Sequence, residues 1–370
     1  MIIKKLELNN FRNYDNEILN FSKNINIIYG NNAQGKTNIL EGIYTLLITK
    51  SHRLNSSNNL IKKNKNFTRL FGTFDNHLID TSLNLLIDEN GKHLKKNNNN
   101  IKKISDYISE SNIIIFYPED LNLIKGSPVD RRRYLNIELS QIYKNYIIIL
   151  NDYNKLLKMR NDYLKKIKQG LNVDLSYFNI LTNYLIERAI SIYKIRKEYF
   201  DNINKYADEI YEKISGYKKF KIIYKPNKAI VNNNEFLEEF KKIYDDEIKF
   251  GVTLIGSHKD EYDFYLNNNN LKDTGSQGQQ RMAILAFKLS EIKIFSEIKK
   301  DNPILLLDDA FSELDDIKKN LFLDYINDGM QVIITTTDLK NIRKDILKKA
   351  KLFEIENGKV KNVMEVEDGK

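Results

Sequence analysis

The chain has 370 residues, 41% hydrophobic and 11% aromatic, enough apolar material for folded cores and too much chain for one small one, so about two domains are expected. It contains no cysteine and only 4 histidines, which excludes disulfide scaffolds, thiolate zinc sites, thiol nucleophiles and a histidine-rich metal cage. Lys and Arg number 59 against 50 Asp and Glu, a net charge of +9 that suits polyanion partners, although heavy use of Lys, Asn, Ile and Tyr, as an AT-rich gene encodes, gives the same surplus without function.

Residues 2–9 alternate apolar and charged side chains and predict a strand; residues 25–29 predict a short apolar strand that runs into Gly30. A helix is expected over 37–49, with Ile39, Ile43, Leu46 and Leu47 on one face, then strands over 67–74 and 81–87 and a loop at the Asn run 97–100. From Asp130 the apolar period changes to three and four residues. Leu135, Leu139, Ile142, Tyr146, Ile149, Tyr153 and Leu156 begin one stripe, and Phe178, Leu181, Leu185, Ala189, Ile192 and Ile195 begin another beyond Gly170. Two helices of about 35 to 40 residues, each roughly 50–60 Å long, should pair as an antiparallel hairpin. Farther on, helices are expected over 236–248 and 279–299 and from Asp315 and Leu339, with strands over 252–255, 304–307, 332–335 and 352–355. Wholly apolar strands alternating with helices mean a largely parallel sheet covered on both faces. The expected fold is α/β at both ends, residues 1–125 and 251–370, with an inserted, mainly helical lobe over 126–250. No uncharged apolar run approaches the roughly 18 residues that span a bilayer, and residues 1–10 show no signal-peptide core. A cytoplasmic protein without a membrane partner is expected.

Gly30-Asn31-Asn32-Ala33-Gln34-Gly35-Lys36-Thr37 fits G-x-x-x-x-G-K-[ST] between a strand and a helix. The glycines let backbone N–H groups curl around phosphate oxygens, Lys36 neutralises phosphate charge, and the Thr37 hydroxyl can ligate Mg²⁺. The apolar strand 304–307 ends in Asp308 and Asp309. A carboxylate there can share the metal with Thr37, which assigns Asp308, and the next can orient the attacking water, which assigns Asp309. ATP and Mg²⁺ are the expected ligands. Ser276-Gln277-Gly278-Gln279 opens a helix and offers a hydroxyl, N–H groups and a dipole to an anion. A nucleotide already cradled by one loop hardly needs a second from the same chain, so Ser276 and Gly278 are read as closing on the γ-phosphate of ATP held by another subunit.

In that order, followed by Ser312-Glu313-Leu314-Asp315, these motifs resemble the ATP-binding-cassette fold in its DNA-repair branch, alongside structural-maintenance heads. Within the branch, the chain resembles the RecF family. Asn10-Phe11-Arg12-Asn13-Tyr14, Asn38-Ile39-Leu40-Glu41, Ser51-His52-Arg53, Pro118-Glu119-Asp120-Leu121, Lys125-Gly126-Ser127-Pro128, Arg131-Arg132-Arg133, Gly256-Ser257-His258 and Gln279-Gln280-Arg281 carry that resemblance in family order. It implies an ATP-dependent homodimer with weak ATPase activity that binds double-stranded and gapped DNA and, with RecR and RecO, loads RecA at single-strand gaps. It further implies that Arg12 and Asn38 lie at the nucleotide, that Gln279 joins the signature turn acting across subunits, and that Asp315 lies at the dimer seam. Lys62, Lys63, Lys65, Lys102, Lys103, Arg131, Arg132 and Arg133 are candidate phosphate contacts on DNA.

The chain departs from the family pattern at Asn136, where a carboxylate is usual, at Ser257 and Lys259, and at Thr335-Thr336-Thr337, which stand where cassette transporters carry a switch histidine. With Asp309 in place of the longer Glu, slow hydrolysis is expected. His258 is read either as a nucleotide or DNA contact or as a structural hydrogen-bonding group. Two other functions share the nucleotide loops: a transporter motor subunit, and a scaffold that binds ATP without turnover.

Overall fold

The computed structural model describes residues 1–370 except 54–56, 76–79, 109–110, 230, 310–318, 320–321, 323–328 and 366–370. The N-terminal stretch forms β1 (Ile2–Phe11), β2 (Tyr14–Asn20), β3 (Ile25–Tyr29), α1 (Lys36–Ile48), β4 (Thr68–Asp75), β5 (Asp80–Asp88), β6 (Gly91–Lys96), β7 (Asn99–Asn100), α2 (Ile104–Ile108) and β8 (Ile113–Phe116). Next come α3 (Asn122–Lys125), α4 (Pro128–Ile142), α5 (Tyr146–Lys168), α6 (Leu175–Ser215), β9 (Phe220–Lys225), α7 (Asn233–Lys242), α8 (Tyr244–Phe250), β10 (Glu261–Leu266), β11 (Asn269–Asn270), α9 (Leu271–Thr274) and α10 (Gln277–Lys299). The C-terminal stretch supplies β12 (Ile304–Asp308), β13 (Val332–Thr336), β14 (Ala350–Glu356) and β15 (Lys359–Glu365). The chain divides into two compact units, Met1–Asp120 with Glu291–Lys370, and Leu121–Ser290.

The first unit holds two six-stranded sheets. One runs β15-β14-β3-β13-β12-β8 and is parallel except for the β14/β15 pair. Its inner strands are mostly apolar because both faces are covered; Leu305, Leu306, Leu307 and Ile333 have no exposed surface, and each such side chain stabilises the fold by about 1.5–3 kcal/mol. The other, β2-β1-β4-β5-β6-β7, is antiparallel, and β1 buries Ile3, Leu6, Leu8 and Phe11 on one face. Helix α1 packs against strands of both sheets, and so Ile39, Leu40, Ile43, Leu46 and Leu47 are all buried, more than a one-faced helix could hide.

The sequence foresaw β3, β12, β13 and β14 of the parallel sheet and β1, β4 and β5 of the antiparallel one, and missed β2, β6, β7, β8 and β15. In β6 only Leu94 is buried, so that strand carries almost no apolar alternation to read. The helix expected from Leu339 is a single 3₁₀ turn, Leu339–Asn341, followed by the short Lys344–Leu347 helix. The helix expected from Asp315 lies outside the described residues.

The second unit is built on the α5/α6 hairpin, α6 being 41 residues long. Asp174 caps it by accepting the Tyr177 amide, and Gly216 closes it in the left-handed region at φ 76°. The first stripe is split into α4 and α5, with Tyr143 extended at φ −107°, ψ 107°. The apolar period alone runs on through the break; the buried Tyr146 hydroxyl instead donates to Asn136 and accepts from Arg196. The strand expected over 252–255 is absent. Thr253 donates from its backbone and its hydroxyl to Asn161, and the Leu254 amide donates to Glu247, so side chains replace a strand partner. A three-stranded antiparallel sheet, β11-β10-β9, completes the unit.

Candidate nucleotide-binding site

The phosphate loop leaves β3 at Gly30, whose φ of 149° and contact with the Ile355 carbonyl oxygen leave no room for a side chain. Gly35, at φ 111°, is the N-cap of α1. Lys36 Nζ donates to the carbonyls of Gly30 and Asn31, both at 2.8 Å, folding the side chain back over the loop. Burial lowers the Lys36 pKa, and the Asp309 and Asp308 charges oppose that shift. Two turns of the same unit buttress the loop. Asn13 donates to the Gln34 carbonyl and accepts from Asn38, the Tyr14 hydroxyl donates to the Gly35 carbonyl, and the amides of Asn357 and Gly358 donate to Gln34 from the other side.

Across the loop, β12 lies beside β13 in parallel register with Asp308 opposite Thr335. The Thr37 hydroxyl donates to Asp308 Oδ1 at 2.8 Å and the Thr335 hydroxyl to the same oxygen at 2.7 Å. Burial raises the Asp308 pKa; the hydrogen bonds from Thr335 and Thr37 and the Arg53 charge pull it back down. A cavity of about 310 Å³ opens here, lined by residues 32–38, Arg53, both aspartates, Thr335 and Thr337. Thr37 and Asp308 are hard oxygen donors in contact with one another. Two protein ligands suit Mg²⁺, which keeps waters and substrate phosphates in its shell, so the residues present fit that ion.

Most loop residues proposed from sequence line this cavity; Gly30 and Asn31 instead hold Lys36. Arg12 does not line it. Its guanidinium makes a bidentate pair with Glu41, both bonds at 2.7 Å, and donates to the Asn59 carbonyl. Sequence reasoning missed the site roles of Arg53, Thr335 and Thr337, and the only signals were their places in the Ser-His-Arg and triple-Thr segments.

In the second unit, Ser276 Oγ accepts the Gln279 amide at 3.2 Å and Gln279 Oε1 accepts the Ser276 amide at 2.9 Å, a reciprocal cap on α10. Ser276 and Gly278 are exposed, and nothing lies within 4 Å of where a Gly278 side chain would start. Among the candidate DNA contacts, Arg131 is buried, Arg132 is part-exposed, and both pair with Glu261. Arg133 is half-buried. In the first unit Lys62 pairs with Asp15 at 2.7 Å, while Lys63, Lys65, Lys102 and Lys103 are exposed. His258 bonds to the Tyr153 hydroxyl and the Thr253 carbonyl, and burial pushes its pKa down to about 4. Asn136 accepts from Tyr146 and Arg196, a place in a buried network that a neutral side chain fills. Asp315 lies outside the described residues. Among the described residues no helix is long and apolar enough to cross a membrane.

A glycine loop after a parallel strand, an acid-ended strand two places along the same sheet and a Ser-x-Gly-Gln helix start define an ABC-type P-loop ATPase head. The family described as RecF/RecN/SMC N terminal domain matches residues 2–361. The chain is 39% identical to the DNA replication and repair protein RecF of Lactobacillus johnsonii over 97% of its own length and 99% of that protein. It is 39% identical to the RecF of a Listeria monocytogenes strain, over 98% and 100%. A solved structure of the recombination mediator protein RecF with ATP, in the RecFOR pathway, superposes with a TM-score of 0.89 at 31% identity, covering 98% of this chain and 97% of that one. An Smc head bound to the C-winged helix domain of ScpA, at 18% identity and a TM-score of 0.57, shares the fold. The chain belongs to the RecF family, which displaces the transporter-motor reading.

Proposed function

We propose that this chain is an ATP-gated DNA clamp of replication and recombinational repair. It binds ATP on the Lys36 loop, pairs with a second copy, closes on double-stranded DNA bordering single-strand gaps, and with RecR and RecO promotes RecA loading. The observation that carries the reading is the 2.8 Å contact between Thr37 and Asp308, residues 271 positions apart that the fold brings to one point at the mouth of a phosphate loop.

Residues 30–37 offer backbone N–H groups to the phosphates, and Lys36 swings from the carbonyls of Gly30 and Asn31 toward the terminal phosphates. Thr37 and Asp308 would hold Mg²⁺, which when bound neutralises charge building on the β and γ phosphates. Asp309 orients the attacking water. An aspartate there reaches less far than a glutamate, and Thr337 supplies no imidazole, so turnover is slow and rises when DNA orders the dimer. Ser276, Gly278 and Gln279 of the second copy complete the enclosure around the γ-phosphate. ATP favours the dimer only through contacts absent from the monomer; equal affinity for both would shift nothing. The exposed lysines contact DNA backbone, so binding weakens steeply with salt.

Sedimentation with and without ATP on a gapped duplex tests the clamp. Asp309→Asn should abolish turnover and accumulate the DNA-bound dimer. Normal hydrolysis by that variant would remove Asp309 from its role, and a wild-type chain that binds ATP without any turnover would leave the scaffold reading in place.

A further inference from the structure

Position 335 lies in β13, in the run Val332-Ile333-Ile334-Thr335-Thr336, and is 2% exposed. Valine would fit such a strand at least as well, and a buried hydroxyl is costly unless bonded. Here it is fully used. The parallel register sets Thr335 beside Asp308, and its single proton goes to Asp308 Oδ1 at 2.7 Å, with the Leu307 carbonyl more distant at 3.4 Å. Its oxygen accepts the Asp309 amide at 3.0 Å. Asp309 is a non-glycine residue in the left-handed region, φ 50°, so this bond anchors a backbone turn that a β-substituted residue otherwise avoids.

We infer that Thr335 is a positioning residue of the hydrolytic site, one hydroxyl holding both the Asp308 carboxylate and the backbone that presents Asp309. The inference rests on the ATPase reading. Asp308 Oδ1 has a second donor, Thr37, but that hydroxyl is the one expected to turn its oxygen to a cation once nucleotide binds. Thr335 then remains as the strand-borne donor that keeps Asp308 oriented, and the water-orienting residue is tied to the same atom.

Thr335→Ser and Thr335→Ala in the full chain isolate the hydroxyl, because both lose the γ-methyl and only Ser keeps the oxygen. The measurements are ATP turnover and the ATP dissociation constant in Mg²⁺ and in EDTA. Thr335→Ala should lower kcat about 10- to 100-fold and shrink the affinity gained on adding Mg²⁺ about threefold or more, with the EDTA value within about twofold of wild type. Thr335→Ser should stay within about threefold of wild type on every measure. Equal impairment of the two variants, or wild-type kcat and Mg²⁺ gain in Thr335→Ala, would overturn the inference while leaving the ATPase reading intact. A wild-type chain that fails to bind ATP would overturn both.

Discussion

Glu41 has no exposed surface and sits on the helix that Lys36 opens, so Glu41→Gln should destabilise the first unit and weaken nucleotide binding together. Its carboxylate receives the Arg12 pair, two bonds of 2.7 Å, and the Ser51 hydroxyl at 2.5 Å. Removing one partner of a buried ion pair costs about 3–5 kcal/mol because the other charge is left desolvated. The Arg12 side chain is 20% exposed and recovers part of its hydration, which puts the expected loss near the lower end, about 3 kcal/mol. At about 2–4 °C per kcal/mol, thermal unfolding should fall by about 6–12 °C. The combined Arg12→Met and Glu41→Leu chain leaves no orphan charge, so its loss should be smaller than the sum of the single losses by about 1 kcal/mol or more. Denaturant unfolding of the wild type, Glu41→Gln, the two single variants of the cycle and their combination, each without nucleotide, checks this. A Glu41→Gln loss under about 0.5 kcal/mol, or strictly additive singles, would refute the argument that desolvation dominates here.

Gly30→Ala forces a side chain onto the Ile355 carbonyl at a backbone angle that disfavours it, so ATP affinity should fall at least about tenfold; unchanged calorimetric binding would contradict the loop geometry. His258 is held neutral, its pKa about 4 against 6.5 unfolded, so the folded chain binds fewer protons and its stabilisation is complete above pH 6.5 and lost as pH falls toward 4. The loss should reach about 3 kcal/mol, and His258→Gln should flatten that acid limb in urea titrations at stepped pH. Mixing Ser276→Arg protomers with Lys36→Ala protomers should restore one of the two pockets in each mixed dimer, about a quarter of all pockets after random pairing, and measurable turnover. No recovery from two folded variants would exclude a pocket shared between subunits.

The chemistry-bearing segments were legible because their demands are local. A loop that curls around phosphate needs glycine at Gly30 and Gly35, and a strand buried on both faces reads as Ile-Leu-Leu-Leu without further context. The long hairpin was legible for the same reason, its apolar stripe repeating with the helix. Local pattern failed wherever a partner distant in sequence decided the outcome. The period ran through Tyr143, but Asn136 and Arg196 claimed the Tyr146 hydroxyl. Arg131 and Arg132 read as a free basic patch, but both bond the one carboxylate of Glu261, 130 and 129 positions away. Arg12, expected near phosphate, met Glu41 instead.

The amino-acid order alone therefore determined where the glycine loop and its following helix lie, since torsion angles and dipoles act over a few residues. Which side chains stand around the aspartates was decided only by strand order and register: Asp308 and Thr335 become neighbours because β12 and β13 pair in parallel. A one-residue slip would turn the Thr335 hydroxyl to the opposite face of the sheet, and no local propensity records that choice.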